Sequence, residues 1–182
     1  DAGAAPADAG PEDSGVVADA GPEDAGSTCA QIDGAEVQVP TSDGLTLTAD
    51  LHTTGTAGGP AVVLLHMIPP SNTRANYPAD FRELLASNGF TVLNLDRRGA
   101  GGDAALARTA YTGPDGKLDA QAAIDFLLAH ECAPDASRIA RIGASNGTTT
   151  ARDWTIFAAS ANREAPKALV FLTGGRYTET NS

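Results

Sequence analysis

No stretch of about 18 apolar residues occurs in this 182-residue chain, so no segment reads as a membrane-crossing helix. Basic residues are scarce: 12 Lys and Arg stand against 23 Asp and Glu, a net charge of −11, and they form no patch. Nucleic-acid binding needs clustered positive charge to displace counterions, so that class of partner is set aside. Histidine is limited to His52, His66 and His130, none with a partner at metal-ligand spacing. Neither a metal nor a cofactor is expected. The two cysteines, Cys29 and Cys132, also lack metal-site spacing.

What is there is unevenly distributed. Residues 1–28 contain only Asp, Ala, Gly, Pro, Glu, Ser, Val and Thr, and residues 8–15 are nearly repeated as residues 19–26. Seven acids and no base put −7 of the −11 net charge in this arm. With almost nothing large to bury, it cannot offset its chain entropy and is expected to be a disordered, self-repelling spacer. The alternative is an acidic ligand for cations or a basic partner. The arm resembles the tether behind the lipid-modified cysteine of bacterial surface lipoproteins. That resemblance implies a secreted, periplasmic or cell-surface location with a lipid-anchored tether upstream. The first residue is Asp1 rather than Met, from which a removed upstream segment is expected. In a chain read as exported, Cys29 and Cys132 form either one disulfide, stapling the end of the arm to the underside of the domain, or two separate thiols.

From Cys29 to Ser182 the pattern is that of one domain. Ala35–Val39 and Leu45–Leu51 alternate with period two around a turn at residues 41–44, which predicts a hairpin. Ala61–His66 is a continuous apolar run ending in histidine, as expected of a strand covered on both faces. Ala79–Asn88 has helical spacing with Gly89 at the C-terminal cap position, and Thr91–Leu95 reads as a strand. Asp119–His130 predicts a second helix, Ile139–Ile142 a strand, Thr148–Ala161 a helix and Ala168–Leu172 a last strand. Strands alternating with helices after a hairpin indicate an α/β layered, mostly parallel sheet. Chemistry in such sheets collects at the carboxyl ends of strands, where His66, Asp96 and Ser145 fall.

Gly143-Ala144-Ser145-Asn146-Gly147 is a G-x-S-x-G pentapeptide between a strand and a helix. A nucleophilic serine needs this setting. The sharp turn exposes Oγ, Gly143 and Gly147 let neighbouring chain pass without a Cβ clash, and the next N–H opens a helix where it can stabilise an oxyanion. The competing reading of Ser145 is a helix cap.

The runs Leu64–Met67, Leu93–Gly99 and Arg138–Gly147, in this order and spacing, resemble the α/β-hydrolase superfamily. The flavour is that of its dienelactone-hydrolase-like and serine esterase branches, over about Ala35 to Thr173. The resemblance implies a serine hydrolase acting on a small-molecule carboxylic ester, with Ser145 as nucleophile and the backbone N–H groups of Ile68 and Asn146 as oxyanion donors. His66 would organise the loop after its strand rather than act as base, and Met67 stands where the family has glycine. Pro69, Pro70 and Tyr77 would shape a pocket to which His66 and Met67 also belong, and Asp96 with Arg97, Arg98 and Gly99 would be structural. Asp153 and Trp154 read as packing and surface. His52 ends a hairpin strand, and His130 ends a helix where a cation suits the dipole.

The family's triad runs Ser, then acid, then His, yet no histidine follows Ser145. Of the later acids Asp153, Glu164 and Glu179, only Glu179 is near a position the family uses. The expectation is therefore a domain without its last strands, inactive by itself, whose acid and base lie beyond Ser182. The sheet edge left at the last strand would need cover. The alternative is a non-catalytic surface binding module on a hydrolase scaffold.

Overall fold

The computed structural model describes residues 27–112 and 114–173. The acidic arm up to residue 26 and the segment holding Glu179 lie outside the described residues. Six strands form one sheet: β1 (Asp33–Pro40), β2 (Thr46–His52), β3 (Ala61–Leu65), β4 (Thr91–Leu95), β5 (Ile139–Gly143) and β6 (Ala168–Phe171). Their spatial order is β1-β2-β4-β3-β5-β6. The hairpin strands run antiparallel, and β4, β3, β5 and β6 run parallel. Register is what matters for the site. Leu65 pairs with both Leu95 and Gly143, so the carboxyl ends of β4, β3 and β5 finish in line.

All five residues of β3 are buried, which explains its unbroken apolar run. Side chains alternate between two cores. Val63, Leu65, Leu93 and Leu95 pack under α3 (Gly116–Ala129) and α4 (Asn146–Ser160). Val62, Leu64, Val92 and Ile142 meet Phe81 and Leu85 of α1 (Ala79–Ser87). The α3/α4 face is the larger core. At the end of the strand order away from the hairpin, β6 is the edge strand among the described residues, with Val170, Phe171 and Leu172 exposed.

Helix α2 (Ala104–Thr112) was not predicted. It follows a glycine-rich lead-in and buries only Ala107 and Ala110, too small an apolar stripe to register as periodicity. Its one sequence signal is Asp103, whose carboxylate accepts the Leu106 N–H at 2.8 Å. Gly99 makes this approach feasible: it sits at φ 75°, and a Cβ there would strike the Ala107 backbone. Helix α3 starts at Gly116, three residues before the expected Asp119.

Cys29 and Cys132 are joined in a disulfide, with Cα atoms 5.5 Å apart, rather than standing as separate thiols. Thr28 bridges to Thr56, so pairing with the domain is already present one residue before Cys29. His130 corrects the reading of a cation on a helix dipole. Its Nδ1 accepts the Cys132 N–H at 3.0 Å, so it caps the turn as an acceptor. Trp154 packs as expected, but Asp153 is buried, not superficial. No helix among the described residues is long and apolar enough to cross a membrane.

Candidate active site

Ser145 stands between the end of β5 and the first residue of α4, at φ 50° and ψ −120°. Only two described non-glycine residues have positive φ, and such a backbone costs about 1–3 kcal/mol unless its surroundings enforce it. The surroundings do. The Ala144 N–H donates to the Leu65 carbonyl at 3.1 Å, the Leu172 N–H to the Gly143 carbonyl at 3.1 Å, and the Ser145 N–H to Thr173 Oγ1 at 2.6 Å. The glycines are required by proximity. A Cβ on Gly143 would lie 2.6 Å from the Thr148 nitrogen, and one on Gly147 would collide with the Leu65 carbonyl oxygen. The β3 strand end thus passes directly beneath the turn, and Ser145 is left half-buried at its apex.

His66, wholly buried at the end of β3, is fully employed. Its Nδ1 lies 2.7 Å from the Met67 carbonyl, which can only accept, so Nδ1 carries the proton. Its Nε2 receives the Arg97 N–H at 3.0 Å, which can only donate. Burial, aided by the nearby Arg97 charge, pulls its pKa down to about 3. This imidazole is neutral and has no lone pair to spare for a serine proton. His52 is equally remote from such a role, facing Asp33 across the hairpin at 3.2 Å.

Arg97, expected to be structural, is the organiser of this region, with partners that the sequence did not name. Nη1 donates to the carbonyls of His66 and Met67 at 3.2 and 3.4 Å; Nη2 donates to the Ala110 carbonyl at 3.0 Å and to Thr150 Oγ1 at 2.7 Å. One buried guanidinium therefore ties the loop after β3 to helix α4. Desolvation lowers its pKa to about 10, so it stays charged at neutral pH. Its neighbour Arg98 is paired with buried Asp119, Nε to Oδ1 at 2.7 Å. Asp96 fills a supporting role, accepting the Arg74 N–H at 2.6 Å and pairing with the Arg74 guanidinium. These partners were hidden because nothing in a one-dimensional pattern distinguishes a buried arginine from a solvated one.

Ile68 follows in the same loop, 37% exposed, with its carbonyl held by Asn72 Nδ2 at 2.7 Å. Asn146 opens α4 at the positive end of that helix. Beside the turn lies an open pocket of about 380 Å³ lined by Met67, Tyr77, Phe81, Ala144 and Leu172. Tyr77 contributes a ring rather than a reactive hydroxyl. Its OH is buried against the carbonyls of Ile142 and Leu65 at 3.0 and 3.2 Å, and burial raises its pKa. Among the described residues no three His, Cys, Asp or Glu side chains gather as a metal site would require.

The parallel sheet, the antiparallel hairpin and a strained serine at the end of β5 can be set beside known structures. Bacterial heroin esterase is 25% identical, superposes with a TM-score of 0.60, and matches 76% of this chain and 44% of its own. EstE1, a thermostable carboxylesterase cloned from a metagenomic library, is 23% identical with a TM-score of 0.57, over 79% of this chain and 48% of its own. The α/β hydrolase GrgF of a Penicillium species is 20% identical, also with a TM-score of 0.57, over 68% and 41%.

This is an α/β-hydrolase fold.

The chain spans less than half the length of these hydrolases. The likeness is to α/β hydrolases in general and singles out no dienelactone-hydrolase-like branch. No protein-family model matches the sequence, and no curated protein does.

Proposed function

We propose that this chain is the nucleophile-bearing part of a serine hydrolase that cleaves carboxylic esters. The single observation that carries the reading is Ser145 at φ 50°, held at the carboxyl end of β5 by bonds to two neighbouring segments, the end of β3 and the stretch just after β6. In this reading Oγ attacks the acyl carbon and the carbonyl oxygen gathers negative charge. The backbone N–H groups of Asn146 and Ile68 receive that charge, and an acyl-enzyme forms as the alcohol departs. Water then releases the acid. The pocket lined by Met67, Tyr77 and Phe81 takes an apolar part of the substrate.

The serine proton needs a base that none of the three histidines supplies: both His66 nitrogens serve Met67 and Arg97, His52 pairs with Val92 at the amino end of β4, and His130 sits beside Cys132 ahead of β5, both at the opposite end of the sheet from Ser145. We assign the base and its acid to chain beyond Ser182, and this chain alone to be without turnover. Export to the cell surface or periplasm, behind a lipid-anchored spacer, is part of the same proposal. The Cys29–Cys132 disulfide supports it, because such bridges persist in oxidising compartments.

The second reading is a surface binding module without catalysis, favoured by Met67 in the loop after β3, where the resembled family has glycine. One experiment separates the two. The full-length protein is treated with a fluorophosphonate probe and the adduct is mapped by peptide sequencing. Esterase chemistry predicts an adduct on Ser145 that Ser145→Ala abolishes together with ester hydrolysis. No adduct there, or undiminished hydrolysis in the variant, overturns it and leaves the binding module.

A further inference from the structure

Arg141 sits in the middle of β5, on the face packed against α3 and α4, and is 1% exposed. Its guanidinium carbon lies 3.4 Å from the centroid of the Trp154 ring. Among the described residues that ring is the one partner recorded for it. Nε and Nη1 are buried without a hydrogen-bond acceptor, and no carboxylate pairs with it among the described residues. Burial by itself pulls its pKa down to about 9, so at neutral pH the group is a cation with unmet donors. Such a group is costly unless something supplies the missing acceptor.

A cavity of about 110 Å³ adjoins it, lined by Arg141, Trp154, Ile124, Ile139, Glu164 and Pro166. These residues mark the amino ends of β5 and β6, the opposite end of the sheet from Ser145. Apart from Arg141 and the rim residues Arg163 and Glu164, the lining is apolar. Arg163 is already engaged with Asp125 at 3.0 Å.

We propose that Arg141 and Trp154 form a carboxylate-binding site, separate from the elbow, that takes a short-chain carboxylate or the head of an acidic side chain. The planar guanidinium fork matches two carboxylate oxygens, and the apolar walls suit a short alkyl tail. Size limits the ligand: a 150 Å³ cavity is about right for benzene, so this one holds only a few carbons. Inorganic phosphate brings more charge and more acceptors than one guanidinium can satisfy.

The molecule carries its own reporter, because Trp154 is the only tryptophan in the sequence. Sodium propionate is titrated into the disulfide-bonded protein at constant ionic strength, set with sodium chloride, while tryptophan emission is followed. The site predicts a saturable change that neutral propionamide does not produce and that Arg141→Met weakens about tenfold or more. Should that variant fail to fold, Ala165→Leu carries the test, since it fills the exposed rim and leaves the guanidinium in place. Glu164→Gln distinguishes the source. Saturation in both forms assigns the site to a free carboxylate, and saturation only in Glu164→Gln assigns it to the Glu164 side chain of the native protein. No saturable response in either form, or an equal response to propionamide or in Arg141→Met, overturns the proposal.

Discussion

At the carboxyl end of the sheet Arg97 meets two main-chain carbonyls of the β3 loop, the Ala110 carbonyl and the Thr150 hydroxyl, while Arg98 meets Asp119. At the amino end Arg141 meets none of these, only an aromatic face. All three guanidiniums are equally hidden from water. Burial therefore does not tell a scaffold cation from a receptive one; the count of acceptors does. A cation such as Arg97, whose two Nη groups are engaged although its Nε is not, holds loops in place around Ser145. One whose donors are idle is an invitation to an anion.

The contrast can be broken most forcefully at Arg98. Arg98→Met leaves Asp119, wholly buried, without its counter-ion and should cost about 3–5 kcal/mol, read as a shift in the urea midpoint. A loss under about 1 kcal/mol would mean that Asp119 does not depend on this partner. The next largest effect is on acid stability. His66 has a folded pKa of about 3 against 6.5 ordinarily, so between these values the unfolded chain binds a proton that the folded one refuses. Stability should thus fall as pH drops from 6.5 toward 3, by at most about 1.4 kcal/mol per unit, and His66→Asn should flatten this part of the profile. An unchanged slope in the variant would remove His66 as the cause. Smallest, and opposite in sign to Arg98→Met, is the effect of Arg141→Met. It surrenders no hydrogen bond and ends an uncompensated desolvation, so stability should stay within about 1 kcal/mol of the parent or rise. A loss comparable to that of Arg98→Met would erase the distinction between the two ends.

Much of the architecture could be read in advance because local pattern and global environment agree there. The apolar run of β3 reports burial on both faces, and the glycines around Ser145 report the main-chain crossing beneath it. Helix α2 escaped because alanines bury little area and leave a faint period. Arg141 escaped for a different reason. Within Arg138–Gly143 an arginine flanked by Ala140 and Ile142 fits the polar half of an alternating strand as readily as the buried half. Only the pairing of β5 between β3 and β6, with α4 laid across one face, decides which half faces Trp154. The site shows the same division. The serine turn is encoded within five residues, whereas Arg97, Thr150 and Thr173, which hold it, come from three separate segments.

The covalent tie between Cys29 and Cys132 encloses the hairpin, β3, β4 and the first three helices, but leaves β5, α4 and β6 outside its ring. A protease that nicks the chain anywhere between those two sulfurs leaves both pieces attached. A single cut in the loop just past the second sulfur detaches the serine-bearing strand and helix, which only packing and backbone bonds then retain. Thiol treatment should therefore change the fate of a chain nicked inside the ring and make no difference to one nicked beyond it.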